Sequence, residues 1–229
     1  MDLHFSHESA MDYLPLGTMR ALQLERLRAV VTRVYDRVPA YSNRMKEMGV
    51  APKDIRRLED IVKLPFTVKT DLRDNYPFGL FASPMEEIVR LHASSGTTGK
   101  PIVVAYTRED IQTWAQVMHR TFRSCGLGPG DIVQNAFGYG LFTGGLGAHY
   151  GLEALGATVI PMSGGNTEKQ VMVMRDFGVT AICSTPSYFL FLLEKAVEMG
   201  VDPKPLPLRV GVHGAEPWSN EMRVQIEAG

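Results

Sequence analysis

Downstream of Pro84 the chain alternates short β-branched runs with longer segments of helical period, and no other feature narrows its fold as far. The runs cover residues 87–92, 102–106, 131–137, 157–161, 179–184 and 208–213, each short and rich in residues that favour a pleated surface. Between them the period changes. Thr107 and Asp110 offer a capping start to a helix carrying Ile111, Trp114, Val117, Met118 and Phe122. Residues 144–155 read as a helix of small side chains, 167–178 as one with Thr167 and Gln170 at capping-box spacing, and 186–200 as one capped by Thr185 with Pro186 in its first turn. Ser219 opens the last. Strands and helices in this alternation specify an α/β fold: a mostly parallel sheet flanked by helices, with right-handed crossovers and ligand sites outside the strands' carboxyl ends.

Residues 1–83 follow a different rule and form a helical N-terminal preface to the α/β portion, 84–229. Leu22, Leu24, Leu27, Val30, Val31, Val34 and Val38 recur at helical spacing, with Arg20, Glu25, Arg26, Arg28 and Arg33 on the other side. Pro39 interrupts, and a second short helix ends at Gly49 in a C-cap position. Residues 52–78 are charged, broken by Pro65 and Pro77, and without a sheet signal. The preface is expected to serve packing or self-association, with its cations on solvated faces.

Where the first two runs meet, Ser94, Ser95, Gly96, Thr97, Thr98, Gly99 and Lys100 make a loop too long for a tight hairpin and too regular in hydroxyls for an ordinary linker. Gly96 and Gly99 free the backbone to turn its N–H groups inward, four hydroxyls add donors, and Lys100 adds a positive charge. That chemistry suits phosphate, although serine, threonine and glycine also compose solvated hairpin loops. It is not the kinase and ATPase P-loop, which needs four residues between its glycines and a helix directly afterwards. The run Ser-Ser-Gly-Thr-Thr-Gly-Lys-Pro at 94–101 resembles the phosphate-binding signature of the acyl-adenylate-forming enzymes.

Two later loops carry further signals. Residues 138–151 are aromatic and glycine-rich, and no lysine or arginine occurs between Ile132 and Glu168. A pocket here is apolar, with Tyr139 and Phe142 available to wall a planar group; equally, the glycines let a helix approach the sheet and the aromatics fill a core. His149 by itself is an ordinary structural histidine. After the run at 208–213 comes Gly214-Ala215-Glu216-Pro217-Trp218, which alone is a strand-to-helix turn, but in the adenylate-forming enzymes a similar segment packs against adenine.

Together the preface, the hydroxyl-rich loop, the segment at 137–147 and the segment at 212–218 resemble the phenylacetate-CoA ligases over essentially the whole chain. The resemblance implies ATP, Mg2+ and coenzyme A as cosubstrates or cofactors and a small aryl acid as substrate. Ser94, Ser95, Gly96, Thr97, Thr98 and Gly99 would hold phosphates with Lys100 adding charge. Gly214, Ala215, Glu216 and Pro217 would line the adenine site, and Tyr139, Phe142, Gly144 and Ala148 would border the aryl pocket. Members of that family run on past the equivalent of Gly229 to a further adenine- and metal-binding segment, a ribose-binding aspartate, a hinge and a mobile domain bearing the adenylation lysine. None of these occurs in the present sequence. The expectation is therefore a truncated piece without the catalytic lysine or a metal site, which alone catalyses neither half-reaction. Its open sheet edge favours a homo-oligomer. A ligase for another aryl acid and a non-catalytic interaction module remain alternatives; a phosphotransferase is disfavoured, since no Asp/Asn metal-binding catalytic loop is visible.

A net charge of −1, from 24 basic and 25 acidic residues, points to neither nucleic acid nor an anionic membrane as partner. The two cysteines, Cys125 and Cys183, lack CxxC spacing, so a zinc site or disulfide framework is not expected. With no signal-like segment at the start and no apolar run of spanning length, the expected location is the cytoplasm.

Overall fold

The structure, a computed structural model, describes residues 7–94 and 101–229. It divides into two compact units, Met1–Arg108 and Glu109–Gly229.

In the first unit a 3-10 helix, His7–Tyr13, leads into α1 (Leu16–Arg37) and α2 (Pro39–Glu47). They break at Val38, whose φ of −118° and ψ of 93° are the extended values that a following proline imposes. Val31, Met45 and Ile55 form the core between them, with Leu24, Leu27 and Tyr35 packed around it. Arg28, expected on a solvated face, instead donates to the carbonyls of Ile55 and Arg56 at 2.8 and 2.9 Å. The Asp71 carboxylate receives both ends of the Arg44 guanidinium and the Val68 N–H that opens α3 (Lys69–Asp74). Those bonds hold its pKa down to about 2. The unit closes with an antiparallel hairpin, β1 (Ile88–Ala93) against β2 (Val103–Thr107), as the two flanking runs predict.

The second unit begins as α4 (Arg108–Ser124) leaves the hairpin. Then β3 (Ile132–Asn135), α5 (Gly144–Leu155), β4 (Thr158–Ile160), α6 (Thr167–Asp176), β5 (Ala181–Ser184), α7 (Pro186–Glu198), β6 (Val210–His213) and α8 (Asn220–Ala228) follow. The sheet is parallel throughout, in the order β4-β3-β5-β6. Its period of two separates the faces. Val133, Ala181 and Cys183 pack with Phe122 of α4 and Leu152 of α5, while Ile182 packs with Val171 of α6 and Leu192 of α7. Helices therefore cover both faces.

Glycine decides how α4 and α5 meet. A Cβ added at Gly147 would lie 2.5 Å from the Trp114 ring and one at Gly151 2.3 Å from the Met118 Cβ, so the two glycines, one turn apart, receive two bulky side chains that are also one turn apart. Close helix packing is thus the work of these two glycines, one of the two uses open to the run.

One local expectation is corrected. Thr167 and Gln170 do not form a capping box: Asn166 occupies the N-cap with φ 49° and without a side-chain bond, and Gln170 is fully buried. Its carboxamide meets Gln134 of β3, a partner that local spacing cannot reveal.

Candidate functional site

In this sheet the chain passes from β3 outward to β4, then returns to place β5 on the other side of β3. Loops leaving the carboxyl ends of β3 and β5 therefore run in opposite directions and open a crevice. A cleft of about 540 Å3 lies there, and every post-strand loop of the sheet contributes to it. Phe137, Gly138 and Phe142 come from the loop after β3, and Gly164 and Gly165 from the loop after β4. Tyr188 and Phe191 face it from α7, and Ala215 from the turn after β6. Among the described residues, no lysine, arginine, aspartate or glutamate lines it. Such a cleft suits a planar apolar group and selects against a charged one.

Polar side chains support these walls from behind. Asn135, fully buried at the end of β3, donates to the Tyr139 hydroxyl at 2.7 Å and to the Gly145 carbonyl at 2.8 Å. The hydroxyl proton then goes to His149 Nδ1, 3.2 Å away, which leaves Nε2–H to donate to Glu153 at 3.1 Å. Burial pushes the Tyr139 phenol up to about 12, so it stays neutral and keeps that role. On the sheet's other face Gln134 donates to Gln170 at 2.8 Å, and Gln170 reaches the Ser163 and Gly165 carbonyls, both at 2.9 Å, and the Tyr188 hydroxyl at 3.0 Å.

The turn after β6 is tied to α7. Thr185 caps this helix by accepting from the Tyr188 N–H, as its place before Pro186 predicts. The Glu216 carboxylate accepts the next free donor, the Ser187 N–H, at 2.7 Å. Hydrogen bonds from Ser187 hold Glu216 below the usual carboxylate range. Ala215 sits beside it with φ 71°, in the left-handed region. His213, last in β6, sets Nδ1 3.3 Å from the Ser184 hydroxyl, and burial lowers its pKa.

Of the residues singled out in the sequence, Phe142 and Ala215 line the cleft. Gly144 stands against the Phe142 ring, Tyr139 is turned to Asn135 and His149, and Ala148 lies in the core with Phe122 and Leu152. Gly214 extends the ladder through its N–H to the Ser184 carbonyl, and Pro217 follows Glu216 towards α8. Ser94 closes the mouth of the hairpin, its N–H and hydroxyl pairing with the backbone of Ile102. Ser95, Gly96, Thr97, Thr98, Gly99 and Lys100 lie outside the described residues. Gln134, Asn135, Gln170 and Tyr188 escape a reading by motif. Adjacent Gln134 and Asn135 in a strand otherwise made of apolar residues are the signal that points to them. Among the described residues no group of three or more His, Cys, Asp or Glu converges as a metal cage, and no helix is long and apolar enough to cross a membrane.

Comparison with known proteins bears on the family and the fold. The phenylacetate-coenzyme A ligase of Pseudomonas putida is 57% identical over 217 residues, 95% of this chain and 49% of that protein. The Thermus thermophilus phenylacetate-coenzyme A ligase is 53% identical over 223 residues, 97% of this chain and 50% of its own length. The chain thus spans about half the length of these relatives. Among solved structures, 2-hydroxyisobutyryl-CoA ligase in complex with 2-HIB-AMP and CoA in the thioesterification state superposes with a TM-score of 0.87 at 30% identity, covering 94% of this chain and 47% of that one. An open conformation of that ligase gives 0.86 at 28% identity, over 94% and 48%. The model of the AMP-binding enzyme family matches residues 30–228, and the chain belongs to that family.

Proposed function

We propose that this chain supplies the nucleotide- and acid-binding part of an ATP-dependent ligase that joins phenylacetate to coenzyme A. In such a reaction an acid carboxylate oxygen attacks the α-phosphorus of ATP, pyrophosphate leaves, and the thiol of coenzyme A then displaces AMP from the acyl carbon. The observation that carries the reading is the cleft at the switch point, walled by Phe137, Phe142, Tyr188 and Phe191 and without a charged side chain among the described residues. Identity of 53–57% to the four phenylacetate-coenzyme A ligases supports the choice of acid.

The chain's own residues then have distinct tasks. Aromatic walls bury an aryl tail and keep water from it, so the tail's binding energy holds the carboxylate in line with phosphorus. Gly214 and Ala215 offer backbone for a flat base, and Glu216 fixes that shelf by its bond to Ser187. The hydroxyl-rich loop, with Lys100, would neutralise phosphate charge. The test is titration calorimetry with the nonhydrolysable sulfamate analogue of phenylacetyl adenylate. The chain should bind it at least about tenfold more tightly than the acetyl counterpart, because a phenyl group in an apolar pocket outweighs a single methylene. Equal affinity for the two, or none for either, overturns the reading.

A further inference from the structure

The loop between β4 and α6 adopts left-handed backbone at three of the four positions 163–166: φ is 63° at Ser163, 83° at Gly165 and 49° at Asn166. Two of these residues carry a Cβ, and such conformations persist only where surrounding structure over-determines them. Here the determinant is a buried amide pair. Gln134 and Gln170 are both 0% exposed, and the Gln134 NH2 fixes the Gln170 carbonyl oxygen at 2.8 Å, which leaves the Gln170 NH2 as donor. That one group lies 2.9 Å from the Ser163 carbonyl, 2.9 Å from the Gly165 carbonyl and 3.0 Å from the Tyr188 hydroxyl. The Tyr188 hydroxyl donates in turn to the Gly165 carbonyl at 3.0 Å. Gly164, Gly165 and the Tyr188 ring all line the cleft, while neither glutamine does.

Resting on the ligase reading above, we propose that Gln170, held by Gln134, is the positioning residue that sets the depth of the cleft and so the length of acid it accepts. The pair touches no ligand. It holds one strained loop and one aromatic ring at a fixed separation, and being neutral it does so without a proton to lose. A Leu at 170 would remove the donor that the two carbonyls and the phenol share and leave the Tyr188–Gly165 bond as their remaining tie, letting the loop at Ser163 shift relative to the ring.

The test compares sulfamate analogues of the acetyl, phenylacetyl and 3-phenylpropionyl adenylates on wild type, Gln170→Leu and Tyr188→Phe. Tyr188→Phe keeps the ring and deletes only its hydroxyl bonds, so it reports even where Gln170→Leu folds poorly. Wild type should prefer phenylacetyl over 3-phenylpropionyl, and each variant should narrow that preference by about tenfold, because a modest displacement of a pocket wall rescales affinities unequally. Hydrogen exchange across residues 163–166 should quicken about tenfold in Gln170→Leu. A uniform weakening towards all three analogues, with their ratios intact, overturns the positioning role and leaves the ligase reading standing. A wild type that binds none of them overturns the ligase reading; exchange at 163–166 then judges the glutamine pair by itself, and an unchanged rate overturns it.

Discussion

The two ends of the parallel sheet are held together by different chemistry. At the amino end, just before β3, β5 and β6, the Asp131 carboxylate accepts from Arg209 at 2.7 Å, the Thr180 hydroxyl at 2.7 Å and the Gly128 N–H at 2.8 Å. At the carboxyl end the loops after β3 and β4 are held by neutral amides, Asn135 and the Gln134–Gln170 pair, while the Glu216 carboxylate is turned to the Ser187 N–H. An ion pair gives strength where nothing needs to bind, whereas a carboxylate or guanidinium behind these two walls would impose its own field on a ligand. Backbone conformation divides the same way. Among the described residues, those other than glycine with positive φ are Ser163, Asn166 and Ala215, all in loops at the carboxyl end.

The largest expected effect breaks the amino end. Asp131→Ala leaves Arg209, Thr180 and Gly128 without their shared acceptor and should cost about 3 kcal/mol, towards the lower bound for breaking a buried pair because Arg209 keeps partial access to water. Denaturant unfolding measures this. Binding at the cleft should change little once the protein is folded, so a loss of ligand affinity as large as the loss of stability would contradict the division. Asp131 also carries a sign. Burial would raise its pKa, but the bonds from Thr180, Gly128 and Arg209 outweigh burial and lower it. The unfolded state therefore takes up the proton first on acidification. The stabilisation is present above the ordinary carboxylate value of about 4 and is lost as pH falls below it; Asp131→Ala should flatten that acid limb.

Next comes the carboxyl end. Gln170→Leu should cost about 2 kcal/mol by leaving buried carbonyls and the Gln134 amide unsatisfied, and Gln134→Leu a similar amount. Joined, the two should cost less than their sum, because removing both amides deletes the unmet partner along with the bond. A double-mutant cycle in urea measures this, and strict additivity would mean that the two glutamines do not act as one unit. Unlike the amino end, this network should give no added pH dependence.

How far the sequence foretold this contrast depends on the range of each interaction. Helix boundaries that rest on local chemistry were legible: the break at Pro39, the Thr185 cap before Pro186 and the Ser219 cap all occur where residue type demands them. The parallel sheet followed from the alternation, and its crevice from the rule about carboxyl ends. Gln170 suggests a capping box because its spacing to Thr167 is local, whereas the bond it makes to Gln134 spans 36 residues. Residues 138–151 held two signals at once, close packing at Gly147 and Gly151 and a wall at Phe142, and composition does not apportion them. Asp131, Thr180 and Arg209 look like isolated polar residues until the sheet brings the strands' starting ends together.

The smallest effect sharpens the comparison instead of breaking it. Ala215 holds φ 71° beside Glu216, and a left-handed alanine costs on the order of 1 kcal/mol that glycine would not. Glycine also gives the unfolded chain more freedom, by about 0.4–1 kcal/mol, so Ala215→Gly should leave stability within about 0.5 kcal/mol of wild type. Its effect belongs on binding. With the methyl group gone, the shelf after β6 loses a restraint on one side while Glu216 still holds the other through Ser187, so the affinity for the phenylacetyl adenylate analogue should fall a few-fold. Calorimetry on the purified variant gives both numbers. Tighter binding together with higher stability would show that the left-handed alanine is merely tolerated and that strain at this end of the sheet does nothing for the cleft.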